Sequence, residues 1–220
     1  TGRVKHPVTQ AGLEFIVESV REDGSWPIDT DLATWNTTLA INALANGGTE
    51  AMSKDCLDWL LACQHNERHP YTGAAPGGWG WSDLSGAVPD ADDTPGALLA
   101  LATHRDSPHC TTQTRERITK SAKLGLNWLL DLQNADGGWP TFCRGWGQLP
   151  FDRSGADLTA HALRALVAWR DDVDEDRFNL AIAQGVDYLL KQQCEDGCWL
   201  PLWFANQDDP REENPIYGTS

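Results

Sequence analysis

The apolar residues of this chain recur mainly at helical spacing. Leu126, Leu129 and Leu130 follow the i, i+3, i+4 pattern that places apolar side chains on one face of an α-helix, and Leu124 lies just before them. No segment alternates apolar and polar residues over the length of a β-strand. The pattern therefore predicts an all-α protein without β-strands.

A repeated unit organises these helices. Four helical segments run into a turn that ends in Gly-x-Trp, and a glutamine precedes the glycine in the last three. The segments are Phe15 to Trp26, Trp59 to Trp79, Trp128 to Trp139 and Tyr188 to Trp199. Glycine can adopt the positive φ that ends a helix tightly, and a glutamine amide can satisfy polar groups at helix ends. The repeat predicts helices that stack unit on unit.

A second set of helices follows the turns. Three of them share an Ala-(x)3-Leu core, at residues 40–44, 97–101 and 162–166. Small residues at this spacing let helices pack closely, so we expect inner helices here and outer helices before each tryptophan. Roughly seven or eight helices are expected, which is fewer than a closed ring of six hairpins needs. Residues 1–220 should therefore form one incomplete α/α toroid.

The aligned inner helices place three residues at equivalent positions. Trp35, Asp92 and Asp157 each lie five residues before the first alanine of an inner helix. In a toroid these helix ends converge on one mouth. The long loops at about 65–91 and 140–156 should cross that mouth, and loops of this length are commonly functional. We therefore expect Asp92, Asp157 and Trp35 to lie close together.

Three aspartates precede the middle inner helix, namely Asp90, Asp92 and Asp93. One interpretation is helix capping, because an Asp or Thr N-cap followed by Pro95 is a common helix start. One helix does not need three caps, however. Crowded carboxylates in an apolar pocket raise the pKa of at least one of them, and the product would be a general acid that stays protonated at neutral pH.

A histidine and several aromatic residues could complete such a site. His161 lies four residues after Asp157 and shares its helix face. It is either an ordinary core histidine or a group that hydrogen-bonds a second carboxylate. Aromatic residues near the turns are either core residues or the lining of a pocket that stabilises a cation, and they are Trp35, Trp81, Phe142 and Trp203.

Composition narrows the classes of partner. The formal net charge of −15 disfavours nucleic acid and anionic lipid headgroups. No apolar run approaches the roughly 18 residues of a membrane span.

The scattered cysteines are expected to be reduced in a cytoplasmic protein, and the close pair Cys194 and Cys198 lacks a second pair for a zinc site. Zinc held by Cys143, His161 and an aspartate is a weaker alternative. Both chain ends suggest a piece of a longer protein.

These motifs resemble those of the squalene–hopene and oxidosqualene cyclases, which are class II terpene cyclases. The Gln-(x)n-Gly-x-Trp units look like the QW motifs of that family. The segment Asp90-Ala-Asp-Asp-Thr94, which follows Gly77-Gly-Trp-Gly-Trp81, is similar to the family's catalytic Asp-x-Asp-Asp-Thr motif. The block from Gly137-Gly-Trp to Asp157-Leu-Thr-Ala-His161 resembles the family's next block. The resemblance covers nearly the whole chain.

The resemblance implies a role for each candidate residue. Asp92 would donate a proton to a terminal alkene or epoxide, His161 would hydrogen-bond Asp92 and raise its acidity, and Asp157 would support His161. Asp90 and Asp93 would complete the acidic cluster. The aromatic residues that would line the cavity and stabilise carbocations are Trp35, Trp81, Phe142 and Trp203. The substrate would be a polyprenoid hydrocarbon, and the chemistry would need no metal and no other cofactor.

The resemblance also bears on the whole protein. It implies that the family's second helical barrel is absent here, that the isolated chain is inactive, and that the full-length protein is bacterial and contacts the membrane peripherally through the absent part. The chain departs from the family at Asn36, where Asp is common, and at Pro95, where Ala is usual. Three alternatives stay open: a polyprenoid- or lipid-binding toroid without turnover, a zinc prenyltransferase-like toroid, and a repeat scaffold for protein partners with an exposed Asp92.

Overall fold

The computed structural model describes residues 5–18, 31–46, 52–145, 150–172 and 175–202. The chain divides into two compact units, Thr1–Leu32 and Ala33–Ser220. In the first unit the described element is helix α1 (Pro7–Glu18). The second unit carries every residue of the candidate site, so its packing is the part that bears on function.

Six α-helices build the described part of the second unit. They are α2 (Ala33–Asn46), α3 (Lys54–Ala62), α4 (Asp93–Arg105), α5 (Thr112–Leu132), α6 (Ala156–Ala168) and α7 (Glu175–Gln192). Side-chain caps fix two of the starts, because Ser53 accepts a hydrogen bond from the Cys56 N–H and Thr111 accepts one from the Thr114 N–H. The helix-rich class expected from the apolar periodicity is confirmed.

Helix α4 lies at the centre of this unit. It packs against α2 on one side and α6 on the other, while α5 packs on α4 and α7 packs on α6. Ala97, Leu98, Ala100 and Leu101 are all fully buried, and the alanines let the flanking helices approach. Helix α5 instead buries one face and leaves Leu124 on the other face 48% exposed. The packing separates an inner row, α2–α4–α6, from flanking helices.

One expectation was wrong at a local scale, because the described chain contains two short strands. β1 (Trp139–Pro140) pairs antiparallel with β2 (Ser154–Gly155), with Trp139 opposite Gly155. An isolated bridge also joins Asp90 to Phe142. Two-residue strands carry no period-two pattern, so they follow from where the loops meet and not from the sequence periodicity.

The three described Gly-x-Trp turns make the same hydrogen bonds. The glutamine Nε2 of each turn donates to the carbonyl of its own turn glycine, over 2.7 Å for Gln64 to Gly77, 2.8 Å for Gln133 to Gly137 and 2.8 Å for Gln193 to Gly197. The first two amides also reach the next flanking helix, at the carbonyls of Ser121 (3.0 Å) and Ala181 (2.9 Å). Each of these two glutamines therefore ties a turn to the following unit.

The tryptophan of each of these three turns also makes the same hydrogen bond. Its indole Nε1 donates to a carbonyl oxygen near the end of the preceding helix, over 2.8 Å for Trp79 to Leu60, 2.9 Å for Trp139 to Leu129 and 2.8 Å for Trp199 to Leu189. The Leu129 and Leu189 carbonyls also accept the backbone N–H of Gln133 (3.2 Å) and Gln193 (3.1 Å), so the indole is a second donor at the helix end in these two turns. Trp79 and Trp139 are completely buried, and they anchor the turns that lead to α4 and α6.

Candidate active site at the start of helices α4 and α6

Asp90, not Asp92, caps helix α4. The Oδ1 atom of Asp90 accepts hydrogen bonds from the backbone N–H of Asp92 (2.9 Å) and of Asp93 (2.6 Å). Asp92 occupies the N-cap position itself, yet its side chain makes no capping hydrogen bond. The capping interpretation therefore holds for Asp90 alone, and the carboxyl group of Asp92 is left for another interaction.

That interaction is with His161 on the neighbouring inner helix. The Nδ1 atom of His161 lies 3.2 Å from Oδ1 of Asp92, which joins the start of α4 to α6. The Asp92 side chain is 39% exposed and the His161 side chain 22% exposed. The carboxyl group is thus held from one side by an imidazole while its remaining surface is accessible to a reactant.

Asp90 and Asp93 form a buried pair of acids beside Asp92. Burial raises the pKa of Asp90 well above its ordinary value, and it raises the pKa of Asp93 to about 7. The charge of Asp92 raises both pKa values further, because like charges resist ionising together. The Oδ2 atom of Asp90 and the Oδ1 atom of Asp93 are buried without a hydrogen-bond partner, which makes a charge on either group costly. Both groups therefore favour the protonated form more strongly than an exposed aspartate does.

Asp157 lies one helical turn before His161 on α6 and is partly buried. Burial is the main cause that raises its pKa, backbone N–H groups at the helix start lower it, and the charges of Asp92 and His161 act in opposite directions. Within the described residues no hydrogen bond joins Asp157 to His161, and the Oδ1 atom of Asp157 has no polar partner. The contact between Asp157 and His161 that their spacing suggested is therefore not seen among the described residues.

Aromatic rings lie beside the acid cluster. The ring of Phe142 packs edge-on against Trp81 (centroids 6.0 Å apart) and against Phe151 (5.0 Å). The Trp81 carbonyl accepts hydrogen bonds from the backbone of Thr34 (3.1 Å) and Trp35 (3.4 Å), which brings the start of α2 to the same region. Trp35 is 36% exposed. The predicted site residue Trp203 lies outside the described residues.

The two long loops meet at this region through their backbones. The Ala91 N–H donates to the Thr141 carbonyl over 3.0 Å, and the Cys143 N–H donates to the Pro89 carbonyl over 3.3 Å. The loop with the acid cluster is thereby joined to the loop with Phe142. Phe151 was not among the predicted site residues, although it lies inside the second loop that was expected to be functional and within the block that resembles the cyclase family.

Thr94 and Thr159 also position the site, and neither was among the predicted site residues. The Thr94 Oγ1 accepts the Trp79 N–H (2.9 Å), and the Thr159 Oγ1 accepts the Trp139 N–H (3.0 Å). Each hydroxyl ties a Gly-x-Trp turn to the start of the inner helix that follows it. The signal was present in the alignment of inner helices, because each threonine stands two residues after the aligned aspartate, Asp92 or Asp157.

The residues considered for zinc do not assemble around His161. In the part of the chain that the structure describes, the metal-ligating side chains that converge in a group of three are Cys194, Asp196 and Cys198. Cys143 is buried in the core, 3% exposed. None of the described helices combines the length and the apolar character that crossing a membrane requires.

Most of this chain is similar in sequence to known proteins. Residues 32–219 match the squalene-hopene cyclase C-terminal domain family. The squalene–hopene cyclase of Bradyrhizobium diazoefficiens is 28% identical over 96% of this chain, and the enfumafungin synthase of Hormonema carpetanum is 26% identical over 90%. The chain spans 33% and 17% of the lengths of these two relatives. Because relatives occur in both bacteria and fungi, the expected bacterial source stays a prediction.

A solved structure supports the fold alone. A family 10 polysaccharide lyase from Cellvibrio cellulosa superposes with a TM-score of 0.51 and 21% sequence identity, over 77% of this chain and 57% of the lyase. At that identity the likeness concerns helix arrangement and not chemistry.

Proposed function

Because the chain belongs to the squalene-hopene cyclase C-terminal domain family, we propose that it carries the general acid of a class II terpene cyclase. In this proposal residues 1–220 are part of an α/α toroid, and the Gln and Trp turns are its QW repeats. Asp92 starts the reaction by protonating the terminal double bond or epoxide of a squalene-type polyprenoid. The hydrogen bond between Asp92 and His161 is the observation that supports the assignment most strongly.

The proposed step balances as an acid-catalysed cyclisation. The proton on Asp92 forms a new C–H bond with the π electrons of the terminal alkene, which leaves a tertiary carbocation. Successive internal alkenes attack that cation and form C–C bonds, and the last cation loses a proton or takes up water. Asp92 is left as a carboxylate and regains a proton from solvent on its exposed side.

His161 and the acid pair have distinct parts in this proposal. His161, with Nδ1 at 3.2 Å, hydrogen-bonds the carboxylate that Asp92 becomes after proton transfer and so stabilises the product of that step. Asp157, one helical turn earlier on α6, supports His161 in this proposal. Asp90 holds the backbone of Asp92 in place. Because burial raises the pKa of Asp90 and of Asp93, the pair adds less negative charge beside Asp92 than two exposed carboxylates would.

The aromatic residues supply the rest of the environment. Trp81, Phe142 and Phe151 contact one another in a row beside the acid cluster. The faces of aromatic rings attract cations, and apolar walls exclude water that would quench the carbocation early. Trp35 belongs to the same proposed wall, because its backbone is hydrogen-bonded to Trp81. Trp203 completes the set in the sequence-based hypothesis.

The chain alone covers a minor part of its relatives, between 17% and 35% of their lengths. We therefore propose that turnover needs a polypeptide that also contains the family's second barrel, and that peripheral membrane contact comes from that part. The acid proposed here would act only when the second barrel encloses the polyprenoid.

Feeding squalene to the intact polypeptide in deuterium oxide tests the proposed function. We expect cyclic triterpenes with one deuterium at the carbon that receives the initiating proton, read by gas chromatography with mass spectrometry. Squalene that stays bound but is recovered unchanged would instead favour a lipid-binding toroid. Turnover of a prenyl diphosphate that depends on added zinc would favour the prenyltransferase alternative, and binding of a protein partner without any polyprenoid would favour the scaffold.

A further inference from the structure

The turn that follows helix α7 gathers three side chains that can ligate a metal. The sulfur atoms of Cys194 and Cys198 and a carboxylate oxygen of Asp196 all lie within 4.8 Å of one another. We propose that this turn binds a thiophilic divalent cation, with zinc the natural candidate. The site would be carried by the last Gly-x-Trp turn and not by the acid cluster at the start of α4.

The backbone of this turn has the same conformation as the equivalent turn one unit earlier. In both turns an aspartate Oδ1 accepts a backbone N–H two residues on, over 3.0 Å for Asp136 to Gly138 and 3.1 Å for Asp196 to Cys198. The middle glycines share a positive φ, +94° for Gly137 and +89° for Gly197. The same fixed turn thus carries different side chains in its two copies.

The side chains differ where the proposed ligands stand. Cys194 replaces Asn134, and Cys198 replaces Gly138. In the earlier turn a Cβ at position 138 would lie 2.5 Å from the Ser154 Cβ, so that position excludes a side chain. The N–H of Cys194 donates to the Cys198 carbonyl over 2.8 Å, which holds the two residues side by side. Both ligand positions are therefore set by backbone hydrogen bonds before any ion binds.

The chemistry of the three groups favours zinc. Zinc takes thiolate, imidazole and carboxylate ligands in a tetrahedron, and sites with three protein ligands keep the fourth position for water or another group. Two sulfur atoms and one carboxylate oxygen, all within 4.8 Å of one another, supply three of the four ligands of such a site. A bound dication would stabilise both cysteines as thiolates.

The alternative assignment for Cys194 and Cys198 is a pair of thiols that oxidise to a disulfide. The carboxylate of Asp196 favours the metal site over the disulfide, because a disulfide makes no use of an oxygen ligand. An ion bound here would link Cys194 to Cys198. The next residue, Trp199, already donates from its indole N–H to the Leu189 carbonyl, so the ion would fix the end of α7.

Titration of the reduced 220-residue chain with zinc chloride tests the proposal directly. We expect one equivalent to bind by calorimetry and to raise the thermal midpoint of unfolding, and cadmium to give an ultraviolet thiolate charge-transfer band. The double variant Cys194→Asn/Cys198→Gly should fold, because the preceding turn already uses those residues. It should lose at least about 100-fold in affinity, and Asp196→Asn about tenfold.

Two controls make the outcome unambiguous. The double variant Cys56→Ala/Cys110→Ala removes two cysteines outside the turn and should bind zinc like the parent. The proposal is overturned if the reduced chain binds no zinc, or if Cys194→Asn/Cys198→Gly binds it as tightly as the parent. Recovery of a Cys194–Cys198 disulfide in the presence of equimolar zinc would equally overturn it.

Discussion

Replacing Asp93 by asparagine removes an ionisable group from the buried acid pair while nearly keeping its shape. Asp93 is 4% exposed, and burial raises its pKa from 3.8 to about 7. The folded state therefore binds this proton more tightly than the unfolded state does. Its stabilising effect is complete below pH 3.8 and is lost as the pH rises through about 7. The asparagine amide of the variant has no proton to lose in this range, and the backbone N–H of residue 93 still donates to Asp90.

The size of the effect follows from the pKa values. Each pKa unit corresponds to about 1.4 kcal/mol, so ionising Asp93 in the folded state costs about 4 kcal/mol relative to low pH. Roughly half of that change, about 2 kcal/mol, falls between about pH 5.5 and about pH 8.5. Relative to the parent, Asp93→Asn should therefore gain about 2 kcal/mol in free energy of unfolding across this range.

Urea denaturation followed by tryptophan fluorescence measures this difference at the two pH values. Asp83→Asn is the matched control, because it makes the same change of side chain at an exposed position on the loop before the cluster. A difference between Asp93→Asn and the parent that is the same at both pH values, within about 0.5 kcal/mol, would refute the account of the buried pair.

Two further predictions concern the turns that position the site. Gly137→Ala should destabilise the fold by about 3 kcal/mol, because φ is +94° and a Cβ would lie 2.3 Å from the Gln184 carbonyl oxygen; chemical denaturation should show no comparable loss for Gly86→Ala, where the added methyl meets nothing. Thr159→Val should cost about 1 to 3 kcal/mol, because it leaves the buried N–H of Trp139 without its acceptor; an unchanged denaturation midpoint would contradict the positioning role.

The helical framework could be predicted from the sequence because its signals are periodic. The Ala-(x)3-Leu segments at 97–101 and 162–166 lie in the adjacent inner helices α4 and α6. Counting back from those alanines placed Asp92 and Asp157 at the starts of neighbouring helices. The same counting led to His161 one turn further along α6, and the structure has it 3.2 Å from Asp92.

The role that each residue takes within the site could not be predicted in this way. Whether Asp90 or Asp92 caps α4 depends on backbone conformation, and both are equally good N-cap residues by type. The β1–β2 pair and the packing of Phe151 on Phe142 arise where two separate loops meet, over contacts that no local pattern encodes. The i, i+4 spacing of Asp157 and His161 suggested contact, but the Asp157 carboxyl turns to backbone groups at the helix start.

The central claim is that Asp92 supplies the initiating proton, and turnover by Asp92→Asn tests it most directly. The measurement compares polyprenoid cyclisation by the intact polypeptide, its Asp92→Asn variant and the Asp83→Asn control. An amide cannot donate a proton to an alkene, so we predict a loss of at least about 1000-fold for Asp92→Asn and parental turnover for Asp83→Asn. Cyclisation by Asp92→Asn at the parental rate would contradict the account.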